Sequence, residues 1–249
     1  MSLVSRTSVI IPALNEEATV AAVVHTVLAE SPLEVIVIDS DSEDDTATQA
    51  RRAGARVINW REPLPHIAPQ PGKGEALWRG VAAAQGEFVA FVDADLSNPH
   101  PATVSQLVAA FADPKIQLVK SNYQRGFHGA PTGGGRVTEL TAKPLLRALF
   151  PQLSEIAQPL SGEYAIRAAT ARSLPFVSGY GVEIGLVIDV FRSVGLRGIS
   201  QVDLGVRQHR NRPLLELAPM ADEVCATILA RAGIVAPTLA ERPPVQDVI

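Results

Sequence analysis

The sequence has a single cysteine, Cys225, among 249 residues. No internal disulfide can form and no cysteine-based zinc site can assemble, which suits a reducing compartment and leads us to expect a cytoplasmic protein. Aromatic residues are sparse at 5%, and no apolar run approaches the ~20 residues that span a bilayer, so integral membrane association is not expected. Residues 1–7 lack the basic start, hydrophobic run and cleavage site of a signal peptide. Positive charge is also in short supply. Lys and Arg total 22 against 26 Asp and Glu, a net charge of −4 with the basic residues dispersed, so nucleic acid is not expected as a partner. Two nucleotide-binding signatures are missing. Around Gly72-Lys73-Gly74 the Walker A spacing fails, with Gly74 standing where the hydroxyl residue belongs, and no G-x-G-x-x-G follows the first strand. A P-loop ATPase and an ordinary dinucleotide-dependent dehydrogenase are both disfavoured.

Hydrophobic residues make up 47% and charged residues 19%, which excludes disorder and a charged coiled coil. Short β-branched runs at residues 8–13 and 34–39 flank a stretch, 17–28, with apolar residues at helical spacing. The cycle repeats with a helix to about Ala53, a strand near 56–60, a helix over 74–84 and a strand over 88–92. Continuous rather than alternating strands imply burial on both faces, so the first ~100 residues read as an α/β, doubly wound, mostly parallel nucleotide-binding half. Beyond Asn98 we expect a helix opening at Pro101, a strand over 116–123 and a loop, 124–135, with five glycines. A helix broken near Pro144, a strand around 163–167, a helix over 182–194, a strand over 199–206 and a long helix to about Ala232 complete the reading. The organisation expected is a single domain over 1–236, divided into a nucleotide-binding half (1–98) and a second half (99–236), with a frayed tail over 237–249.

The sharpest chemical signal is Asp93-Ala94-Asp95, directly after a buried strand. In open parallel sheets ligands bind beyond the carboxyl ends of the strands, and residues i and i+2 of an extended segment point the same way. Two hard oxygen donors there suit Mg2+ or Mn2+ with a diphosphate, although a bare D-x-D is more often a solvated turn or helix cap. Pro12-Ala13-Leu14-Asn15-Glu16-Glu17 sits at the end of the first strand, and Asp39-Ser40-Asp41-Ser42 at the end of the second. Each alone reads as turn and cap chemistry, but three on successive strand ends exceed what capping requires. Lys73, between two glycines ahead of a helix, is placed to face a phosphate.

These motifs resemble the GT-A nucleotide-sugar glycosyltransferases. Four later segments, GRVTEL from Gly135, PLSGEY from Pro159, GYGVEIG from Gly179 and HRNRPL from His209, are similar to one branch, the glucosyl-3-phosphoglycerate synthases. The resemblance, which spans about residues 7–232, implies a GT-A fold and a retaining transfer of glucose from UDP-glucose to the 2-hydroxyl of 3-phosphoglycerate. It further implies that Pro12, Ala13, Leu14, Glu16 and Ser42 hold the uridine and ribose, with Lys73 near the diphosphate. Asp95 and His209 would ligate Mg2+ or Mn2+, Asp93 would orient the sugar nucleotide, and Tyr180 and Glu183 would contact the glucose hydroxyls. Gly135, Arg136 and Thr138, assisted by Asn211, would receive the acceptor, and the main chain near Leu160 would support the reacting centre. The family also implies a homodimer. The readings held against this one are mannosyl-3-phosphoglycerate synthesis from GDP-mannose, a polyprenyl-phosphate sugar transferase, and a catalytically silent nucleotide-sugar-binding protein.

Overall fold

The computed structural model describes residues 2–127, 130–133, 135–207, 214–234 and 239–249. In chain order they form β1 (Thr7–Ala13), α1 (Val20–Leu28), β2 (Glu34–Asp39), α2 (Thr46–Arg52), β3 (Arg56–Asn59), α3 (Lys73–Ala83), β4 (Phe88–Phe91) and α4 (Thr103–Ala109). The second half adds β5 (Leu118–Phe127), β6 (Ala130–Gly133), a π-helical turn Thr138–Ala142, α5 (Lys143–Leu149), β7 (Tyr164–Arg167), α6 (Ala168–Ser173) and β8 (Phe176–Val177). It ends with α7 (Val182–Val194), β9 (Ile199–Arg207), α8 (Leu214–Arg231) and β10 (Glu241–Arg242).

The main sheet runs β3-β2-β1-β4-β7-β5-β6, with β9 also paired to β5. Strands β1 to β4 pair in parallel, and β7 joins both β4 and β5 antiparallel. Chain order reverses beside β1: β2 and β3 lie on one side and β4 on the other. That reversal opens a crevice past the carboxyl ends of β1 and β4, where α/β sheets take their ligands.

The continuous apolar strands are buried on both faces. Ile10, Ile36 and Ile38 join Val89 and Phe91 in one core layer, while Val9, Ile11, Val35, Val37 and Ala90 join the layer opposite. Period-two alternation of the backbone distributes the residues of one run between the two layers. At ~25 cal/mol per Å² of apolar surface, this burial on both faces strongly stabilises the strands whose ends form the crevice.

Two expectations are corrected. The glycine-rich segment beyond Tyr123 is not a loop throughout, because β5 continues to Phe127 and pairs antiparallel with β6. The tail is not frayed over 239–249. β10 pairs with β8, Val245 is fully buried, and Trp78 Nε1 donates to the Pro243 carbonyl at 2.8 Å. Its prolines hid the docking, which depends on residues far away in sequence. No helix among the described residues is long and apolar enough to cross a membrane.

Candidate active site

A cavity of about 410 Å3 opens at the switch point. Pro12, Ala13, Leu14 and Glu16, leaving β1, form one wall with Ser40 and Trp60, which follow β2 and β3. Asp93, Ala94 and Asp95, leaving β4, form the floor. The opposite wall comes from the second half: Gly135 to Thr138 ahead of the π-turn, Leu160, Tyr180 and Glu183.

Lys73 is the first residue of α3 and reaches across the floor. Its Nζ lies 2.6 Å from Asp93 Oδ1 and 2.8 Å from Glu183 Oε1, so one ammonium ties β4 to the start of α7. Burial opposes its charge, but Asp93 and Glu183 outweigh that cost and hold the ammonium well above the usual lysine range. Backbone geometry makes this reach possible. Gly72 has φ 128, and a Cβ there would stand 2.4 Å from the Ser178 carbonyl, so only glycine lets the chain pass before α3 begins. The helix start is not an open anion cup, since the Glu75 amide already donates to that same carbonyl at 3.0 Å. The side chain of Lys73, rather than helix amides alone, presents positive charge to the cavity.

Of the residues proposed from sequence, the cavity gathers Pro12, Ala13, Leu14, Glu16, Lys73, Asp93, Asp95, Gly135, Arg136, Thr138, Leu160, Tyr180 and Glu183. Ser42 does not line it. Its Oγ accepts from the Asn15 amide at 3.0 Å, bracing the β1 turn, while Ser40 takes the cavity position. Asp41 is likewise held outside, by Arg61 at 2.6 Å and Asn59 at 2.8 Å. His209 and Asn211 lie outside the described residues. Among the described residues no group of three or more His, Cys, Asp or Glu side chains is placed to hold a metal ion. Asp95 alone nonetheless suits a hard cation that fills its shell with water and diphosphate oxygens, because Mg2+ and Mn2+ sites commonly use one or two carboxylates.

Sequence reasoning missed Trp60, the Leu217, Met220 and Val224 face of α8, and a buried lysine behind the floor. The lysine, Lys120 on β5, is fully buried, and its Nζ donates to the Ser161 carbonyl at 2.7 Å. A lysine directly after the apolar pair Leu118-Val119, in a strand expected to pack in the sheet, was the available signal.

Comparison with known proteins agrees with this geometry. Residues 8–159 match the model of glycosyl transferase family 2. A glucosyl-3-phosphoglycerate synthase of Mycobacterium tuberculosis is 53% identical over 241 residues, covering 91% of this chain and 74% of that protein. A crystal structure of the M. tuberculosis enzyme with Mn2+, UDP-glucose and phosphoglyceric acid superposes with a TM-score of 0.92 at 48% identity, covering 98% of this chain and 91% of that one. The same enzyme with Mn2+, UDP and glucosyl-3-phosphoglycerate gives 0.92 at 47% identity and the same coverage. A doubly wound sheet with an acid-floored cavity at its switch point is that of a GT-A glycosyltransferase, and the chain belongs to glycosyl transferase family 2. Within that class it is a member of the glucosyl-3-phosphoglycerate synthase family.

Proposed function

We propose that this chain transfers glucose from UDP-glucose to the 2-hydroxyl of 3-phosphoglycerate with retention at the anomeric carbon. The observation that carries this reading is the Lys73 bridge between Asp93 and Glu183 inside the switch-point cavity. Donor contacts are assigned to the β1 side, where Pro12, Ala13 and Leu14 offer a surface for the uridine, Glu16 and Ser40 offer hydroxyl partners, and Trp60 offers an aromatic edge. Asp93 orients the sugar nucleotide, with Glu183 and Tyr180 facing glucose. Gly135, Arg136 and Thr138 receive the phosphate and carboxylate of the acceptor, for which an arginine fork beside backbone amides is the natural partner. The halves 1–98 and 99–236 thus serve donor and acceptor.

Asp95 would hold the divalent cation together with His209, and the cation, Mn2+ in the solved relatives, supplies neutralisation of diphosphate charge. Lys73 adds a fixed positive charge where negative charge grows as UDP departs. A double displacement through a carboxylate is disfavoured, because Asp93 and Glu183 both contact the same ammonium and are poor nucleophiles while it holds them. Front-face attack needs no such nucleophile. The bond from the anomeric carbon to the diphosphate oxygen breaks with its electron pair leaving on UDP. The acceptor oxygen bonds on the same face and its proton passes to the departing phosphate oxygen. The backbone at Leu160 faces that centre.

A homodimer and a cytoplasmic location belong to the same reading. Leu140 and Leu215, 72% and 87% exposed, support the first, and the lone Cys225 supports the second. Light scattering reads the pairing. The activity is tested by incubating the protein with 3-phosphoglycerate and a panel of sugar nucleotides, with and without excess chelator. Glucosyl-3-phosphoglycerate formed from UDP-glucose only while metal is free is the expected result. Transfer from GDP-mannose alone, or full turnover in chelator, would overturn the donor or the metal assignment.

A further inference from the structure

We propose that Lys120 is a positioning residue for the transfer: from behind the cavity floor it holds the Leu160–Gly162 turn against Asp93 and balances the second carboxylate of the Lys73 bridge. The inference rests on the function proposed above.

Lys120 has no place on the cavity surface. It stands on β5 opposite Tyr164 of β7, its side chain fully enclosed, with Nζ 4.2 Å from the centre of the Tyr164 ring. Its hydrogen bond goes to the carbonyl of Ser161, which follows the cavity residue Leu160. The next residue, Gly162, is pressed so closely on Asp93 that a Cβ would lie 2.0 Å from Oδ2. The turn is therefore gripped from two sides, by a buried ammonium on its carbonyl and by the carboxylate that orients the donor. If the carbonyl loses its donor, the turn is free to shift toward the cavity and carry Asp93 with it.

Charge points the same way. Glu183 on α7, Lys73 on α3 and Asp93 after β4 are the ionised groups that act on Lys120, with the Tyr164 ring between strands. Two carboxylates share Lys73, and one ammonium cannot neutralise both. A second cation behind them leaves the four-group cluster neutral, the condition under which buried charges persist. Burial pushes Lys120 down to about 7, so its proton is held only with the help of Glu183 and Asp93 and against Lys73. A lysine with no structural need for charge would be replaced by an apolar residue at lower cost.

The test replaces Lys120 by Met, which keeps the apolar stem, and by Gln, which keeps a donor for Ser161. With wild type forming glucosylated product in the same assay, Lys120→Met is expected to lower kcat by about ten- to a hundredfold, the effect of a small misplacement, with KM for both substrates changed less than about threefold. Lys120→Gln is expected to fall between the two. The alkaline limb of kcat above about pH 7 in wild type should be missing from Lys120→Met. Unchanged kcat in Lys120→Met would overturn the proposal, as would failure of both variants to fold, which would make the residue structural. Product formation by wild type tests the underlying function separately. A crystal structure of Lys120→Met gives a reading without turnover: the Leu160–Gly162 turn should move off Asp93, and an unmoved turn contradicts the inference.

Discussion

Helix α3 carries two clusters of buried charge that look alike in sequence and differ in kind. Toward the cavity, Lys73 holds Asp93 and Glu183 with its side chain one-fifth exposed. Two residues later Glu75 faces the other way, fully enclosed between Arg79 at 2.7 Å and Arg242 of the tail at 2.6 Å. Those guanidinium groups donate onward to the carbonyls of Trp60, Leu64, Ile67 and Ala68. Both Glu75 oxygens are engaged, Glu75 and Arg79 are fully enclosed, and Arg242 keeps 11% of its side chain exposed. The first cluster uses a compact ammonium with one side open to solvent, the second uses planar forks that satisfy their neighbours completely. Saturation marks a strut, which fixes the residue 60–68 segment and the tail, whereas an open side leaves room for a substrate to complete the set.

Glu75→Ala presses hardest on that distinction. It strands two buried guanidinium groups and should cost about 3–5 kcal/mol of stability in denaturant unfolding, while each folded molecule keeps its kcat. A loss of kcat per folded molecule would erase the difference between the clusters. Arg136→Ala tests the acceptor role proposed for that side chain. The acceptor KM should rise about ten- to a hundredfold, as expected for a charge-assisted contact, with the donor KM nearly constant. Equal effects on both would contradict the placement. The smallest effect concerns Asp41, a motif residue that the structure turns away from the cavity. Arg61 first and Asn59 second hold its carboxyl down to about 2 from an ordinary 3.8. A depressed acid contributes stability above its unfolded value that is lost as pH falls through the folded one, so the contribution fades between about pH 4 and 2. Asp41→Asn should shallow the acid unfolding curve in that window and leave turnover untouched.

The first half, residues 1–98, was largely legible in the sequence because its signals are local. Buried strands read as continuous apolar runs, and β2 and β4 fall where the spacing puts them. The D-A-D segment is visible because it directly follows a strand. The chain beyond residue 98 was harder. Antiparallel β7 between β4 and β5, the β6 hairpin and the docked tail depend on partners dozens of residues away, which periodicity does not encode. At the site, residue types in motifs were found but their orientations were not. Ser42 braces a turn while Ser40 faces the cavity, because Asp41 between them has a positive φ that breaks the extended alternation. Lys73 was expected to meet a phosphate, and its grip on Glu183 became visible only when the start of α7 came to rest beside α3. Lys120 was lost among strand residues because its partner is a backbone carbonyl 41 positions away.

In the function proposed above, the charged floor of the switch-point cavity drives departure of UDP. Single-turnover transfer from UDP-glucose to 3-phosphoglycerate by Lys73→Met, in protein whose circular dichroism matches the parent, reads it most directly. A rate about a hundred- to a thousandfold below that of the parent, with UDP-glucose still bound, is the expected result. Transfer at the parental rate would contradict it.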